Sequence, residues 1–257
     1  MLIDLQQPER IRVISETAKG SVVSDDLTTC QPAGKFVVQA ALGIQGRRNW
    51  PVAEQNLVIL GAEEYWILTE LSHMFRKAGR DGLPPDVLVT PAGGAAELTY
   101  LAAFMAGQGQ EVLALYENDP ASRAAREALV NRWLPKYPGQ KVATLDMAEA
   151  IGNPAQDCSI EDLFPEAFYL ARVQKTYENH LPAAALSLSA LPPGPPLAKR
   201  VEIALRSANV TFDKRAVGKR VAADIRQMRN MIDLPEQTRL LGEKLFASIK
   251  KAFAKQC

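Results

Sequence analysis

Four short apolar runs recur between Leu57 and Leu145, and longer amphipathic stretches separate them. Apolar strands that alternate with helices are typical of a parallel sheet whose two faces are both covered. The predicted strands are Leu57–Leu60, Asp86–Gly94 (which runs into a glycine turn), Glu111–Tyr116 and Lys141–Leu145. The predicted helices between them are Glu63–Ala78, Ala95–Met105 and Pro120–Leu134. The sequence therefore predicts an α/β fold with a Rossmann-like parallel sheet of about four strands.

The regions on either side of this alternation differ from it. Residues 1–56 form an N-terminal segment that is irregular or β-rich, with short apolar runs at Ile11–Ile14 and Ser21–Ser24. Ala33–Phe36 holds a Gly-Lys pair, but it lacks the P-loop spacing, so no nucleotide site is predicted. Residues 160–180 and 198–256 are predicted helices. The predicted organisation is a segment over 1–56, an α/β domain over 57–158 and a helical subdomain over 159–257.

Composition places the chain among ordinary globular proteins. No apolar run approaches the roughly 20 residues that cross a bilayer, so no membrane span is predicted. The N-terminus lacks a signal-peptide pattern, and the three cysteines are odd in number and far apart. These features predict a cytoplasmic protein without a disulfide framework.

The net charge of +1 hides an uneven distribution. The stretch 197–255 carries 14 Lys and Arg against 6 Asp and Glu, whereas the remainder carries 16 against 23. An acidic front and a basic tail suit a protein that holds cations in one place and phosphates in another. The other interpretation of the tail is a solvated helical face.

Acidic residues follow two of the predicted strands. Glu63 and Glu64 come after the first strand, and Glu117 and Asp119 come after the third. Because ligands bind at the carboxyl ends of parallel strands, these carboxylates are candidates for holding a divalent cation. The alternative is that Asn118 or Asp119, just before Pro120, caps a helix.

Glycines at the same strand ends are candidate phosphate contacts. Gly61 follows the first strand, and Gly93 and Gly94 open the second predicted helix. Glycines at a helix N-terminus let a phosphate approach backbone N–H groups. A tight turn that needs positive φ explains Gly93 and Gly94 equally well.

Taken in order, several of these stretches resemble the Toprim catalytic domain of the OLD (overcoming lysogenization defect) nuclease family. The resemblance covers roughly residues 36–226, and no single motif decides it. The matching stretches are Ala40–Gln45, Ile59–Glu64, Leu88–Leu98, Leu113–Ser122, Ile160–Pro165 and Phe212–Ala222.

The resemblance implies a metal-dependent DNA endonuclease that lacks the ABC-type ATPase domain usual in the family, of which residues 1–56 would be a remnant. It implies one or two Mg²⁺ or Mn²⁺ ions held by Glu64, Glu117 and Asp119, with help from Glu63, Glu161 and Asp162. Lys214 or Lys219 would neutralise charge on the phosphate, and Arg215 and Arg220 would contact DNA. The implied partners are DNA, an ATPase domain and further copies of the chain, without a membrane.

Two positions depart from the family pattern. Leu60 stands where the family has a glutamate, and Glu117 stands for an aspartate. Either Glu63 substitutes for the missing carboxylate, or the chain is a catalytically impaired Toprim module for DNA binding or assembly. A third hypothesis is an unrelated α/β enzyme acting on a small phosphorylated molecule.

Overall fold

The computed structural model describes residues 13–17, 20–24, 55–107, 110–136, 141–153, 156–179, 186–194 and 196–254. The chain divides into two compact units, Met1–Ala53 and Glu54–Cys257. The Ala33–Phe36 and Ala40–Gln45 stretches discussed above lie outside the described residues.

The first unit contains an antiparallel pair of strands, β1 (Val13–Thr17) and β2 (Gly20–Ser24). Gly20, the first residue of β2, has φ of +114°, a backbone conformation that glycine adopts without strain. The two strands overlap the apolar runs that the sequence singled out in this region.

The second unit is built on a sheet of four parallel strands, as the sequence predicts. The strands are β3 (Gln55–Ile59), β4 (Val87–Pro91), β5 (Glu111–Tyr116) and β6 (Val142–Asp146). Their order across the sheet is β4-β3-β5-β6, and every neighbouring pair is parallel. The carboxyl ends of β3 and β5 are therefore adjacent.

Eight α-helices accompany this sheet in the described part of the chain. They are α1 (Ala62–Lys77), α2 (Ala95–Gly107), α3 (Pro120–Ala128), α4 (Met147–Ile151), α5 (Glu166–Thr176), α6 (Leu197–Ser207), α7 (Lys214–Gln227) and α8 (Glu236–Ala254). None of them is both long and apolar enough to cross a membrane.

Helix extents depart from the sequence prediction at two places. The predicted helix Pro120–Leu134 ends its α-helical part at Ala128 and continues as a π turn and a 3-10 turn. The helical stretch predicted over 198–256 is divided into three helices. Asn209, at φ +58°, ends the first, and Pro235 precedes the last.

The sheet separates two apolar clusters because alternate strand residues point to opposite faces. Leu57 and Ile59 belong to the larger cluster, whose other members come from α1 and from the C-terminal helices. Val58 belongs to the smaller cluster, with residues of α2 such as Leu98. The larger cluster is continuous from the sheet to α8, and the predicted domain boundary at residue 158 stays a prediction.

Candidate functional site

Four glutamates and one lysine meet at the carboxyl ends of β3 and β5. Glu63, Glu64, Glu117 and Glu161 are all buried, with at most 9% of any residue exposed. The Lys214 ammonium pairs with Glu117 Oε1 and lies 3.4 Å from Glu161 Oε2 and 3.9 Å from Glu63 Oε1. We call these five residues the glutamate–lysine cluster.

Glu64 reaches the cluster from the first turn of α1. Its Oε2 accepts hydrogen bonds from the backbone N–H groups of Leu60 at 2.6 Å and Gly61 at 3.3 Å. These bonds fix the carboxylate at the helix N-terminus, where a negative charge is favourable. Its Oε1 is buried and has no hydrogen-bond partner within the described residues. One oxygen of Glu64 thus holds the turn, and the other remains available for a ligand.

Glu117 and Glu161 are brought together by a backbone bridge two residues beyond the end of β5. The Asn118 N–H donates to Cys158 O at 2.7 Å, and the Cys158 N–H donates to Asn118 O at 2.9 Å. The Asn118 side chain donates to Gln156 O at 2.8 Å. The bridge holds the segment before Glu161 against the end of β5, which explains how residues 44 positions apart share one cluster.

Glu161 is the most deeply buried member, at 0% exposure. Neither of its oxygens has a hydrogen-bond partner in the part of the chain that the structure describes, and its contact with Lys214 is an ion pair. A buried carboxylate without hydrogen bonds is costly, so a bound ion or water is expected to satisfy it.

Asp119 has the capping role that the sequence allowed. It is the N-cap of α3, where its Oδ1 accepts a hydrogen bond from the Ser122 N–H at 2.6 Å and Pro120 occupies the first turn. Among the described residues, no ion pair or hydrogen bond joins Asp119 to the glutamate–lysine cluster. A metal-binding role for Asp119 stays a prediction.

Asp162 also faces away from the cluster. Its Oδ2 accepts hydrogen bonds from the Ser159 N–H at 2.7 Å and the Ser159 hydroxyl at 3.0 Å, and its Oδ1 accepts one from the Leu197 N–H at 2.8 Å. Asp162 thus links the start of α6 to the turn that contains Glu161. The structure brings Glu161 into the cluster and leaves Asp162 outside it.

Lys214 enters the cluster because α7 packs very closely on α1. A Cβ at Gly218 would lie only 2.5 Å from Glu63 Cβ and 3.2 Å from Glu63 Cα, so a larger residue cannot fit without movement of the helices. Lys214 lies one turn before Gly218 at the start of α7, where Asp213 is the N-cap. Lys219 is exposed on the same helix. Of the two candidate lysines, the structure places Lys214 at the site.

Burial and charge act together on the pKa values of the cluster. Burial raises the pKa of Glu64 well above its usual 4.5, and the neighbouring Glu117 charge adds to this. Burial raises the pKa of Glu117 to about 7, although the Lys214 charge opposes the shift. Burial lowers the pKa of Lys214, but the charges of the surrounding glutamates outweigh it, and the net pKa is raised well above 10.5.

Glycines and arginines that the sequence singled out lie around this site. Gly93 has φ of +104°, and its N–H donates to Leu60 O at 2.7 Å, which confirms the tight-turn interpretation there. Gly61 is the N-cap of α1. Arg215 and Arg220 are partly exposed on α7. Phosphate contacts by Gly61, Gly93 and Gly94, and DNA contacts by the two arginines, stay predictions.

Leu60 occupies the position where a further carboxylate was expected. Its side chain packs against the smaller apolar cluster, on the sheet face opposite α1. Its backbone N–H and C=O still serve the site, because they hold Glu64 and the Gly93 turn. The side chain of Leu60 therefore contributes packing and no ligand.

Sequence reasoning missed three residues of this site. Tyr169 is fully buried on α5, and its hydroxyl has no hydrogen-bond partner within the described ranges. Burial raises the pKa of Tyr169, and the Glu161 charge adds to the shift. In the sequence, a tyrosine within a helix cannot be distinguished from an ordinary core residue. The close contact of α7 with α1 at Gly218 and the bridge of Asn118 to Cys158 are visible only in the folded chain.

The donor chemistry of the cluster suits a hard divalent cation. Within the described ranges, no group of three or more His, Cys, Asp or Glu side chains is arranged to hold one metal ion. Mg²⁺, however, typically takes one or two carboxylates and completes its shell with water and phosphate oxygens. The Oε1 of Glu64, which has no hydrogen-bond partner among the described residues, and the neighbouring carboxylate of Glu117 are ligands of this kind. The residues present fit a cation held by two carboxylates.

Comparison with known proteins gives two solved structures. No protein-family model and no curated protein matches the chain. The fold is similar to two structures of the C-terminal region of the OLD protein of Xanthomonas campestris pv. campestris, one phased with mercury and one with iodine. Identity is 11% and 10%, the TM-scores are 0.42 and 0.41, and each match covers 80% of this chain and 98% of the other.

Proposed function

We propose that this chain hydrolyses phosphodiester bonds in DNA with the help of Mg²⁺ or Mn²⁺. The observation that carries the proposal is the glutamate–lysine cluster: four buried carboxylates and one ammonium at the carboxyl edge of a parallel sheet. This edge is where ligands bind in such sheets. The ordered motifs that resemble the OLD family add support from the sequence.

Glu64 and Glu117 are the residues proposed to hold the cation. The Oε1 of Glu64 lacks a hydrogen-bond partner within the described residues, and Glu117 lies close enough to Glu64 for its charge to raise the Glu64 pKa. A divalent cation there would polarise a phosphate oxygen and activate a water molecule. Glu64 lies in the first turn of α1, which follows β3, and Glu117 directly follows β5, so both carboxylates lie at the same edge of the sheet.

Lys214 is proposed to stabilise negative charge on the reacting phosphate. Its ammonium is positioned by carboxylates from three different chain segments, so it needs little reorganisation when charge develops. Lys219 is exposed and five residues further along α7, so it cannot serve the same point.

The DNA backbone is proposed to contact the basic C-terminal helices. The stretch 197–255 has 14 Lys and Arg against 6 Asp and Glu, and exposed examples include Lys219, Lys244 and Lys251. Binding through such residues releases counterions, so affinity is expected to fall steeply with salt.

The decisive experiment is plasmid nicking with the full chain in Mg²⁺ or Mn²⁺. Glu64→Gln and Lys214→Met are each expected to lower the nicking rate by about 100-fold or more, the usual effect of removing one group that stabilises the transition state. Glu127→Gln and Lys175→Met change exposed residues of the same charge, outside both the cluster and the basic stretch 197–255, and are the matched controls. Nicking that is insensitive to EDTA, or equal in Glu64→Gln and the parent chain, would contradict the proposal.

A second candidate is a Toprim-like module that binds DNA without cutting it. The observation that favours it is Leu60, whose side chain packs in an apolar cluster and offers no ligand. This candidate predicts salt-sensitive DNA binding without nicking in any divalent cation. Robust nicking by the chain with Leu60 in place would rule it out.

A further inference from the structure

Glu63 occupies a slot that two glycines make possible. A Cβ at Gly61 would lie 2.5 Å from both carboxylate oxygens of Glu63, so this carboxylate folds back over the start of its own helix. A Cβ at Gly218 would lie 2.5 Å from Glu63 Cβ. The side chain is thus confined from α1 on one side and from α7 on the other.

The folded-back carboxylate faces the ammonium of Lys214. Glu63 Oε1 lies 3.9 Å from Lys214 Nζ, and Glu63 is only 8% exposed. Glu117 and Glu161 contact the same ammonium from two other segments of the chain. If only two carboxylates contacted the ammonium, Lys214 Nζ could move on a circle at constant distance from both. A contact with a third carboxylate restricts Nζ to defined points. Glu63 supplies that third restraint.

We infer that Glu63 is a positioning residue that fixes the Lys214 ammonium in the site, and that Gly61 and Gly218 are present to leave room for it. The inference deepens the proposed function, on which its catalytic meaning rests. It assigns Glu63 a role through Lys214 instead of a role as a metal ligand.

Glu70 offers a matched comparison on the same helix. It is also 8% exposed, and its Oε1 accepts hydrogen bonds from Arg226 of α7 at 2.8 and 2.5 Å. Glu63 and Glu70 therefore both join α1 to α7 through a buried carboxylate and a cation. Only Glu63 contacts Lys214.

The test measures how firmly Lys214 is held, by its rate of acetylation at one fixed pH. The full chain in EDTA is treated with acetic anhydride, and peptides are quantified by mass spectrometry. Glu63→Gln is expected to raise the Lys214 rate by about tenfold, which corresponds to roughly 1.4 kcal/mol of lost interaction. Glu70→Gln should leave the rate unchanged, although it too removes an ion pair between α1 and α7.

Gly61→Ala provides a second variant that retains the Glu63 charge. The three atoms nearest to its new Cβ all belong to the flexible end of the Glu63 side chain, so we expect the fold to be kept while the carboxylate is displaced from Lys214. Its acetylation rate should rise as in Glu63→Gln. Gly94→Ala is the control, because the atoms that a Cβ there would meet within 4 Å belong to Glu97, which is not a member of the cluster.

An unchanged Lys214 rate in both Glu63→Gln and Gly61→Ala overturns the inference, and so does an equal rise in Glu70→Gln. Acetylation needs neither metal nor DNA, so its result is separate from that of the nicking assay. Raised acetylation without nicking activity in the parent chain would retain the positioning role of Glu63 and remove the proposed function.

Discussion

Replacing Gly218 by alanine tests whether close helix packing builds the site. The added Cβ would lie 2.5 Å from Glu63 Cβ and 3.2 Å from Glu63 Cα, whereas carbon atoms prefer roughly 3.5–4.0 Å. Because the contacts are with the base of a side chain and its backbone, no rotamer change relieves them. We expect α1 and α7 to separate by roughly 1 Å.

The energetic cost follows from two opposing effects. Overpacking of a core costs about 1–3 kcal/mol, whereas alanine favours a helix over glycine by about 1 kcal/mol. The expected net loss in free energy of unfolding is therefore about 0–2 kcal/mol. Lys214 moves with α7, and a displacement of about 1 Å at a reacting centre can cost about 100-fold in rate. The nicking rate should therefore fall by about 100-fold under conditions in which the variant is still folded.

Urea unfolding and plasmid nicking measure the two effects on the same preparation. Gly242→Ala is the control. Gly242 lies on α8, and a Cβ there would meet Phe75 Cζ at 2.8 Å, outside the glutamate–lysine cluster. That variant should lose comparable stability and keep its nicking rate at a temperature where it is folded. Nicking at the parent rate by Gly218→Ala would show that the close α1–α7 contact does not build the site, and so would a crystal structure of this variant with the α1–α7 spacing retained.

Three further predictions concern ionisation, cation binding and capping. In EDTA, the free energy of unfolding should fall as pH rises from 4.5 to about 7, because the folded state keeps a proton on Glu117 that the unfolded state has lost. This contribution amounts to about 3 kcal/mol, and urea titrations of Glu117→Gln should show a flatter pH dependence. Saturating Ca²⁺ or Mg²⁺, at about 100 times its Kd, should stabilise the chain by about 2.7 kcal/mol. Calorimetry should show the corresponding rise in Tm, and Glu64→Gln should abolish it. Asp162→Ala should lower stability by about 1–2 kcal/mol through loss of a cap, with the Mg²⁺-induced rise in Tm unchanged. A lost rise in Asp162→Ala would instead make that residue a ligand.

The sheet could be predicted from sequence because buried parallel strands are continuous apolar runs. The same pattern placed Glu64 and Glu117 at strand ends, and the observed order puts β3 beside β5. The third predicted strand, Glu111–Tyr116, has the bounds that the structure gives it. Apolar runs and strand ends are local features, and local features are visible in one sequence.

The remaining features depend on which way a side chain faces. Lys214 and Lys219 are five residues apart, about 140° around a helix, and only the packing of α7 shows which one points inward. Glu161 and Asp162 are adjacent and equally acidic, yet one enters the cluster and the other secures a turn. No local pattern distinguishes the members of either pair.

The bridge between Asn118 and Cys158 is made by main-chain atoms, so it does not depend on which side chains stand at those positions. The number of residues between Cys158 and Glu161 is a stricter requirement, since one insertion there would turn the carboxylate away from Lys214. Distant relatives of this chain should accordingly have different residues at the bridge positions while keeping the number of residues between the bridge and the glutamate that corresponds to Glu161. A search that scores conserved separations should find such relatives more readily than one that scores residue identity.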